Sequence, residues 1–299
     1  MRYQGAWQLL IQEVNVFYKI ENEYYTAEVN SLGAELHSFK SKKTGKEFIW
    51  FGKSEIWSGQ APILFPVVGQ VRNDTILWKG KSYNLQKHGF ARKREFELVS
   101  RENSKVTLSL KSDNETLKQY PFEFELLVSY ELEGGCLKAS HTVKNLNNGE
   151  MYFSFGAHPG FNCEIGDTVE FEKNENLFTE RISSDNLIIP EKFPLLDNEN
   201  SITITKEIFE PDALILSDIK SEYVTINSPG LDREIKVTFG KIPFLGIWAK
   251  PGAPYVCIEP WFGVNDGRDD YGEFSNKRGI QKLDKGEEFN FCWTAEPEE

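Results

Sequence analysis

Four histidines occur in the chain, and two of them stand where chemistry is possible. His88 lies in Lys87-His88-Gly89-Phe90-Ala91-Arg92, and His158 in Phe155-Gly156-Ala157-His158-Pro159-Gly160-Phe161. Both have glycine and aromatic neighbours. Glycine lets backbone approach a ligand closely, and aromatic faces wall in its apolar surfaces. Each reads equally well as a loop histidine held by backbone. His37 and His141 fall inside alternating strand patterns and read as structural or surface residues. Glu259, in Val256-Cys257-Ile258-Glu259-Pro260-Trp261-Phe262-Gly263, ends an apolar run. A carboxylate there is costly unless it is paired or working; the alternative is an exposed strand-end group. Arg72 follows the apolar segment Phe65-Pro66-Val67-Val68-Gly69-Gln70-Val71. Its guanidinium fork suits hydroxyl or phosphate oxygens, or a surface ion pair with Asp74 or another acid. A carboxylate, histidines and an arginine among tryptophans suit acid–base work on a carbohydrate, whose C–H faces stack on aromatic rings.

Other chemistries lack their signatures. There is no phosphate-binding GxxxxGK[ST] loop, no dinucleotide glycine fingerprint, no HExxH and no GxSxG. Cys136, Cys163, Cys257 and Cys292 are widely spaced and form no CxxC pair, so they read as free thiols in a reducing compartment. No residue spacing suggests a metal site, and Asn265 to Asp270 reads as a solvated acidic loop, not an EF-hand. With 46 acidic against 34 basic residues the net charge is −12, which argues against nucleic acid and anionic membranes as partners. No window approaches the roughly 20 apolar residues of a membrane span, and the N-terminal stretch lacks a signal-peptide pattern. The expectation is a cytoplasmic protein.

The elements that must position these residues read as β throughout. Period-two alternation and aromatic or β-branched clusters dominate. Along Phe122–Tyr130, Phe122, Phe124, Leu126, Val128 and Tyr130 face one side and Glu123, Glu125 and Ser129 the other. Further strands are expected at Glu35–Ser41, Phe48–Phe51, Lys105–Lys111, Gly135–Asn145, Met151–Gly156, Thr168–Glu172, Ser201–Ile204, Phe244–Ala249, Tyr255–Glu259 and Glu288–Trp293, among others. Helical turns are expected only at Leu117–Gln119 and Lys206–Phe209. Many short strands without intervening helices, and no blade-length repeat, predict an all-β protein, a large antiparallel β-sandwich. With no linker composition anywhere, residues 16–299 form one domain and residues 1–15 an N-terminal extension.

Several strings, in order, carry a family resemblance: NSLGAELHSF from Asn30 to Phe39, APILFPVVGQVRND, KHGFAR, FGAHPGF, PDALIL, IEPWFGVNDG and EFSNKRGIQKLDKGEEF. The chain resembles the aldose 1-epimerase, or galactose mutarotase-like, family, near the branch containing hexose-6-phosphate mutarotases. The resemblance runs from about residue 16 to 293. It implies a sugar held in a cleft on one sheet of a β-sandwich and interconversion of α and β anomers without metal or cofactor. By motif position it implies Glu259 as general base, His158 as general acid, and Arg72, His88, Asp212 and Arg92 as substrate-binding residues. KHGFAR differs from the longer segment of the better-known galactose mutarotases, so galactose specificity is not implied. The expected partner is a small sugar or sugar phosphate. The alternatives are a hexose-6-phosphate mutarotase, a carbohydrate-binding protein without turnover and, last for want of a second acid, a two-carboxylate glycosidase.

Overall fold

A computed structural model describes residues 15–270 and 272–298. The expected N-terminal extension lies outside the described residues except for Asn15. The described chain is all-β: its strands pair antiparallel throughout, and its one α-helix is the short Asn114–Gln119, capped by the Asp113 carboxylate. A 15-stranded sheet carries most of the structure. From one edge it runs through Ile63–Leu64, Phe155–Ala157, Tyr255–Phe262, Phe244–Trp248, Leu214–Ser217 and Thr168–Ile182. It continues through Tyr223–Ser228, Arg233–Thr238, Glu288–Glu298, Cys136–Asn145, Phe124–Glu133, Lys105–Lys111 and Glu97–Arg101.

Twist accumulates over so many strands, and the sheet curls until its first strands face those of its second half. Ring contacts mark the closure. Phe155 and Phe262, near one end of the order, pack on Phe289 and Phe291 from the strand Glu288–Glu298 (centroids 4.9–6.1 Å), and Phe161 meets Trp293 at 6.4 Å. The layers thus have alternating inner faces. Along Phe124–Glu133, Phe124, Leu126, Val128, Tyr130 and Leu132 are buried and the residues between them are not, as the sequence pattern requires. The strand Tyr255–Phe262 differs: seven of its eight residues are buried, because it has sheet neighbours on both sides and packing on both faces.

Four expected strands come out differently. Phe48–Phe51 makes single bridging contacts instead of a ladder; the Trp50 N–H donates to the Gly160 carbonyl at 2.9 Å. The expected Met151–Gly156 strand divides at Ser154, whose N–H donates to the Pro66 carbonyl. Met151–Phe153 then pairs with Gln281–Leu283, while Phe155–Ala157 joins the large sheet. The short pieces at Thr168 and Ser201 are the ends of a long hairpin, Thr168–Ile182 with Ile188–Thr203. Register shifts and solvent on both faces of much of it remove the alternation that would have extended the pattern.

His141 is the one described histidine sealed in the interlayer core, between Phe155 (4.8 Å) and Phe291 (6.1 Å). Neither ring nitrogen has a hydrogen-bond partner. Burial pushes its pKa down to about 3, opposed only by the nearby Phe291 backbone. A histidine kept neutral in the fold but protonated in the unfolded chain destabilises the fold in acid. The loss begins as pH falls below the ordinary 6.5 and continues towards about 3, with a slope of up to about 1.4 kcal/mol per pH unit. His141→Leu should flatten the acid limb of stability against pH, measured by urea unfolding; a slope unchanged from wild type would mean that His141 does not titrate on unfolding.

Candidate active site

Glu259 sits inside the strand Tyr255–Phe262, not at its end, and faces Gly246 of the neighbouring strand. The expected strand Tyr255–Glu259 stops three residues early, because Pro260 and Trp261 continue the pairing with Phe244–Trp248. Two glycines make this possible. A Cβ on Gly246 would lie 2.6 Å from the Trp261 ring, and one on Gly156 would lie 2.8 Å from it. The indole of Trp261 therefore fits only because its partner Gly156 and its diagonal neighbour Gly246 lack side chains.

His158 lies in the short link between Phe155–Ala157 and Gly160–Asn162, both of which pair with the Glu259 strand. Its ring stacks on Trp57 (centroids 5.1 Å apart) and meets Trp248 edge-on at 5.8 Å. Those contacts aim Nε2 at Glu259 Oε2, 3.2 Å away. The Glu259 side chain is 1% exposed and that of His158 11%, so the pair is approached only through the cleft above it. Burial pushes Glu259 well above the usual carboxylate range. The Trp261 N–H and Lys87 oppose this rise, the indole from outside hydrogen-bond geometry, and Asp212 adds to it. Burial likewise pushes His158 down to about 3. Both effects disfavour charge, so burial favours the pair in its neutral form, a carboxyl beside an imidazole with one proton between them.

The cleft has a volume of about 270 Å³. Trp57, Trp248 and Trp261 form its walls, and His88, His158, Lys87, Arg92, Asp212 and Glu259 supply its polar groups. Five of the six site residues expected from the sequence are therefore brought together. His88 is held by its own turn: Nδ1 accepts a hydrogen bond from the Gly69 N–H at 3.1 Å, and its backbone N–H donates to the Gly69 carbonyl at 2.9 Å. Because Nδ1 accepts, a neutral ring carries its proton on Nε2, available as a donor. Burial and the neighbouring Arg92 hold His88 neutral, well below its ordinary range. Asp212 is fixed through its backbone, whose carbonyl accepts from Arg181 Nη1 at 2.9 Å. Arg92 Nη2 donates to the Lys87 carbonyl at 3.2 Å, and Lys87 Nζ donates to Asn186 Oδ1 at 2.7 Å, tying this wall to the tip of the long hairpin.

Arg72 is the exception. It is not among the residues lining the cleft. It opens a short 3₁₀ turn, Arg72–Asp74, and its backbone N–H donates to Asp266 Oδ2 at 2.8 Å. An arginine after an apolar run does not reveal which way the turn carries it. The acidic stretch is a second correction: Asn265 is buried and lines the cleft, and Asp266 pairs with the buried Lys277, so this segment is not simply a solvated loop. A third finding concerns metals. Although the sequence spacing offered no cluster, the fold brings ligand atoms of His158, Cys257 and Glu259 within 4.8 Å of one another. Isolated tryptophans carry no spacing signal, so the walls are visible only in the fold, whereas Lys87 stands beside His88 in KHGFAR and lines the cleft with Arg92.

The family model for aldose 1-epimerase matches residues 17–268. The chain belongs to the aldose 1-epimerase family. Protein LacX of Lactococcus lactis is 33% identical over 284 residues, 89% of this chain and 94% of that protein. A galactose mutarotase related enzyme from Lactobacillus acidophilus superposes with a TM-score of 0.90 at 32% identity, over 95% of this chain and 98% of its own. A galactose mutarotase-like protein from Lactobacillus casei gives the same TM-score at 28% identity, over 95% and 100% of the two chains. These likenesses fix the fold as the galactose mutarotase-like β-sandwich.

The Gly69 turn gives a direct test of how the site is built. Its φ is +69°, and a Cβ there would fall 1.9 Å from Asn265 Oδ1. Gly69→Ala should therefore cost ~1–3 kcal/mol of stability and displace His88; a urea midpoint equal to wild type would show that the turn tolerates a side chain.

Proposed function

We propose that the protein is an aldose 1-epimerase that opens and recloses the pyranose ring of an aldose, with Glu259 and His158 as its proton-transfer pair. The observation that carries this reading is the buried Glu259–His158 contact of 3.2 Å at the floor of a tryptophan-walled cleft. Anomer exchange needs a proton taken from the C1 hydroxyl and one delivered to the ring oxygen. The carboxylate of Glu259 accepts the first, and the imidazolium of His158 donates the second. The C1–O5 bond then breaks, the aldehyde rotates, and closure on its other face reverses both transfers. Carboxylate with imidazolium holds the same number of protons as the neutral pair, so no net proton enters from solvent. The ring-opened stage returns the pair to its neutral form, with Glu259 carrying the proton from the C1 hydroxyl. His88, donating from Nε2, and Asp212 and Arg92 orient the hydroxyls, while the tryptophans stack on the C–H faces.

Glu259→Gln and His158→Asn each preserve shape and remove one proton carrier. Positioned proton transfer contributes about 10²–10⁴-fold, so each variant should lose most of the acceleration seen by polarimetry on freshly dissolved α-glucose. A near wild-type rate in either variant would remove that residue from its role, and wild-type protein that binds sugar without speeding relaxation would make this a binding protein.

A second reading, a mutarotase for hexose 6-phosphates, is favoured by one observation: Lys87 and Arg92 both line the cleft, and Arg92 Nε is buried without a partner. Charge-assisted hydrogen bonds from such a pair could hold a phosphate despite the net charge of −12, since salt screens that field beyond about 10 Å. Under this reading Arg92→Ala lowers kcat/KM for a hexose 6-phosphate well below its effect on the free hexose. Equal slowing of both substrates, or of neither, would mean that Arg92 does not read a phosphate.

A further inference from the structure

Cys257 takes no part in the proton transfers above, yet it lies beside the two groups that make them. It stands two residues before Glu259 on the same strand, so both side chains leave the same face. Its thiol is fully buried, 3.4 Å from where a Cβ on Gly160 would lie. One ligand atom each from His158, Cys257 and Glu259 lies within 4.8 Å of the others. With bonds of about 2.0–2.3 Å, the ligand atoms of a tetrahedral zinc ion lie about 3.3–3.8 Å apart. The nitrogen–oxygen edge of this triangle is already 3.2 Å. Three such ligands leave a tetrahedral ion its fourth position for water.

We propose that His158, Cys257 and Glu259 form an inhibitory site for a soft divalent cation, zinc or cadmium, which captures the acid–base pair and stops turnover. The inhibition rests on the proposed role of that pair; the binding does not. Thiolate and imidazole ligands select zinc or cadmium over magnesium or calcium, which prefer oxygen cages. Charge favours the same outcome. Binding releases the thiol proton and the carboxyl proton to solvent, and the ion's two positive charges then meet one thiolate and one carboxylate. The loaded site is neutral, which a buried position requires. The bound ion occupies both atoms that must pass protons, so the ring can neither open nor close.

The test uses the full chain in two independent arms. In the first, Cd²⁺ is titrated in and the ultraviolet thiolate-to-cadmium band is followed. A saturable band that Zn²⁺ displaces and that Cys257→Ser abolishes is expected. A band that persists in the variant, arising at Cys136, Cys163 or Cys292, or no band at all, overturns the site. In the second, mutarotation is followed with added Zn²⁺. Removing even an outer partner of a metal ligand costs about 10-fold in affinity, so Cys257→Ser and Cys257→Ala should keep the basal rate and need at least about ten times more Zn²⁺ for the same inhibition. EDTA should restore the wild type. Equal sensitivity in wild type and variants overturns the proposal. X-ray absorption on zinc-loaded wild type needs no variant: one sulfur beside nitrogen and oxygen ligands supports the site, and a shell without sulfur rejects it. If the protein shows no mutarotation, the cadmium and absorption arms still decide the site.

Discussion

Burying an ionisable pair where water cannot reach it is the constraint on which the rest of this structure depends. Two isolated charges at the depth of Glu259 and His158 would each cost several kcal/mol. The fold avoids that cost by letting the two share one proton across 3.2 Å. The neighbourhood follows from this arrangement. Strands on both sides bury the Glu259 strand, Trp57 and Trp248 fix the imidazole plane, and two glycines admit the Trp261 indole beside the carboxyl. Relaxing any of these contacts would admit water or break the alignment, and either would move both pKa values back towards their ordinary ranges.

The β-sandwich is what makes such burial possible. A single open sheet would leave one face of Tyr255–Phe262 wet. Curling the 15-stranded sheet onto itself lets Phe155 and Phe262 seal against Phe289 and Phe291, so that one face of the strand is core and the other is the cleft floor. The side walls come from different structures. The KHGFAR turn docks on the Gly69 turn and presents His88, and the long hairpin reaches over to meet Lys87 through Asn186. Glu259 thus sits on a paired strand and His158 in a two-residue link between paired strands, while His88 and Lys87 stand on a turn. Strand pairing fixes the first two groups more closely than a turn fixes the others.

The sequence revealed more of the site than of the sheet order. Glu259 was legible because a carboxylate in an apolar run needs a reason, and the structure supplies one. His88 and His158 were legible from glycine and aromatic neighbours, and Asp212 and Arg92 through the family strings. What escaped was direction. Arg72 has the right chemistry, but the turn after Val71 places its backbone against Asp266 and leaves it out of the cleft wall. Asn265 to Asp270 has the composition of a solvated loop, but Asn265 is drawn inward by bonding to the Asn186 carbonyl, a partner 79 residues away. Local patterns report periodicity and polarity; pairings over such separations are set by the closure of the whole sheet.

The same reasoning explains why Cys257 looked inert. Judged from sequence it is a small hydrophobe in an apolar strand, and burial does hold its thiol well above the ordinary range, which suppresses nucleophilic chemistry. Its significance appears only with strand register. Residues 257 and 259 share a face, and the pairing of Gly160 with Cys257 carries His158 back over both. A base needs one of these neighbours and an acid needs another, and a thiol completes the donor set of a soft cation. The geometry that concentrates proton carriers also concentrates metal ligands, because both tasks call for unsatisfied lone pairs converging on one small volume.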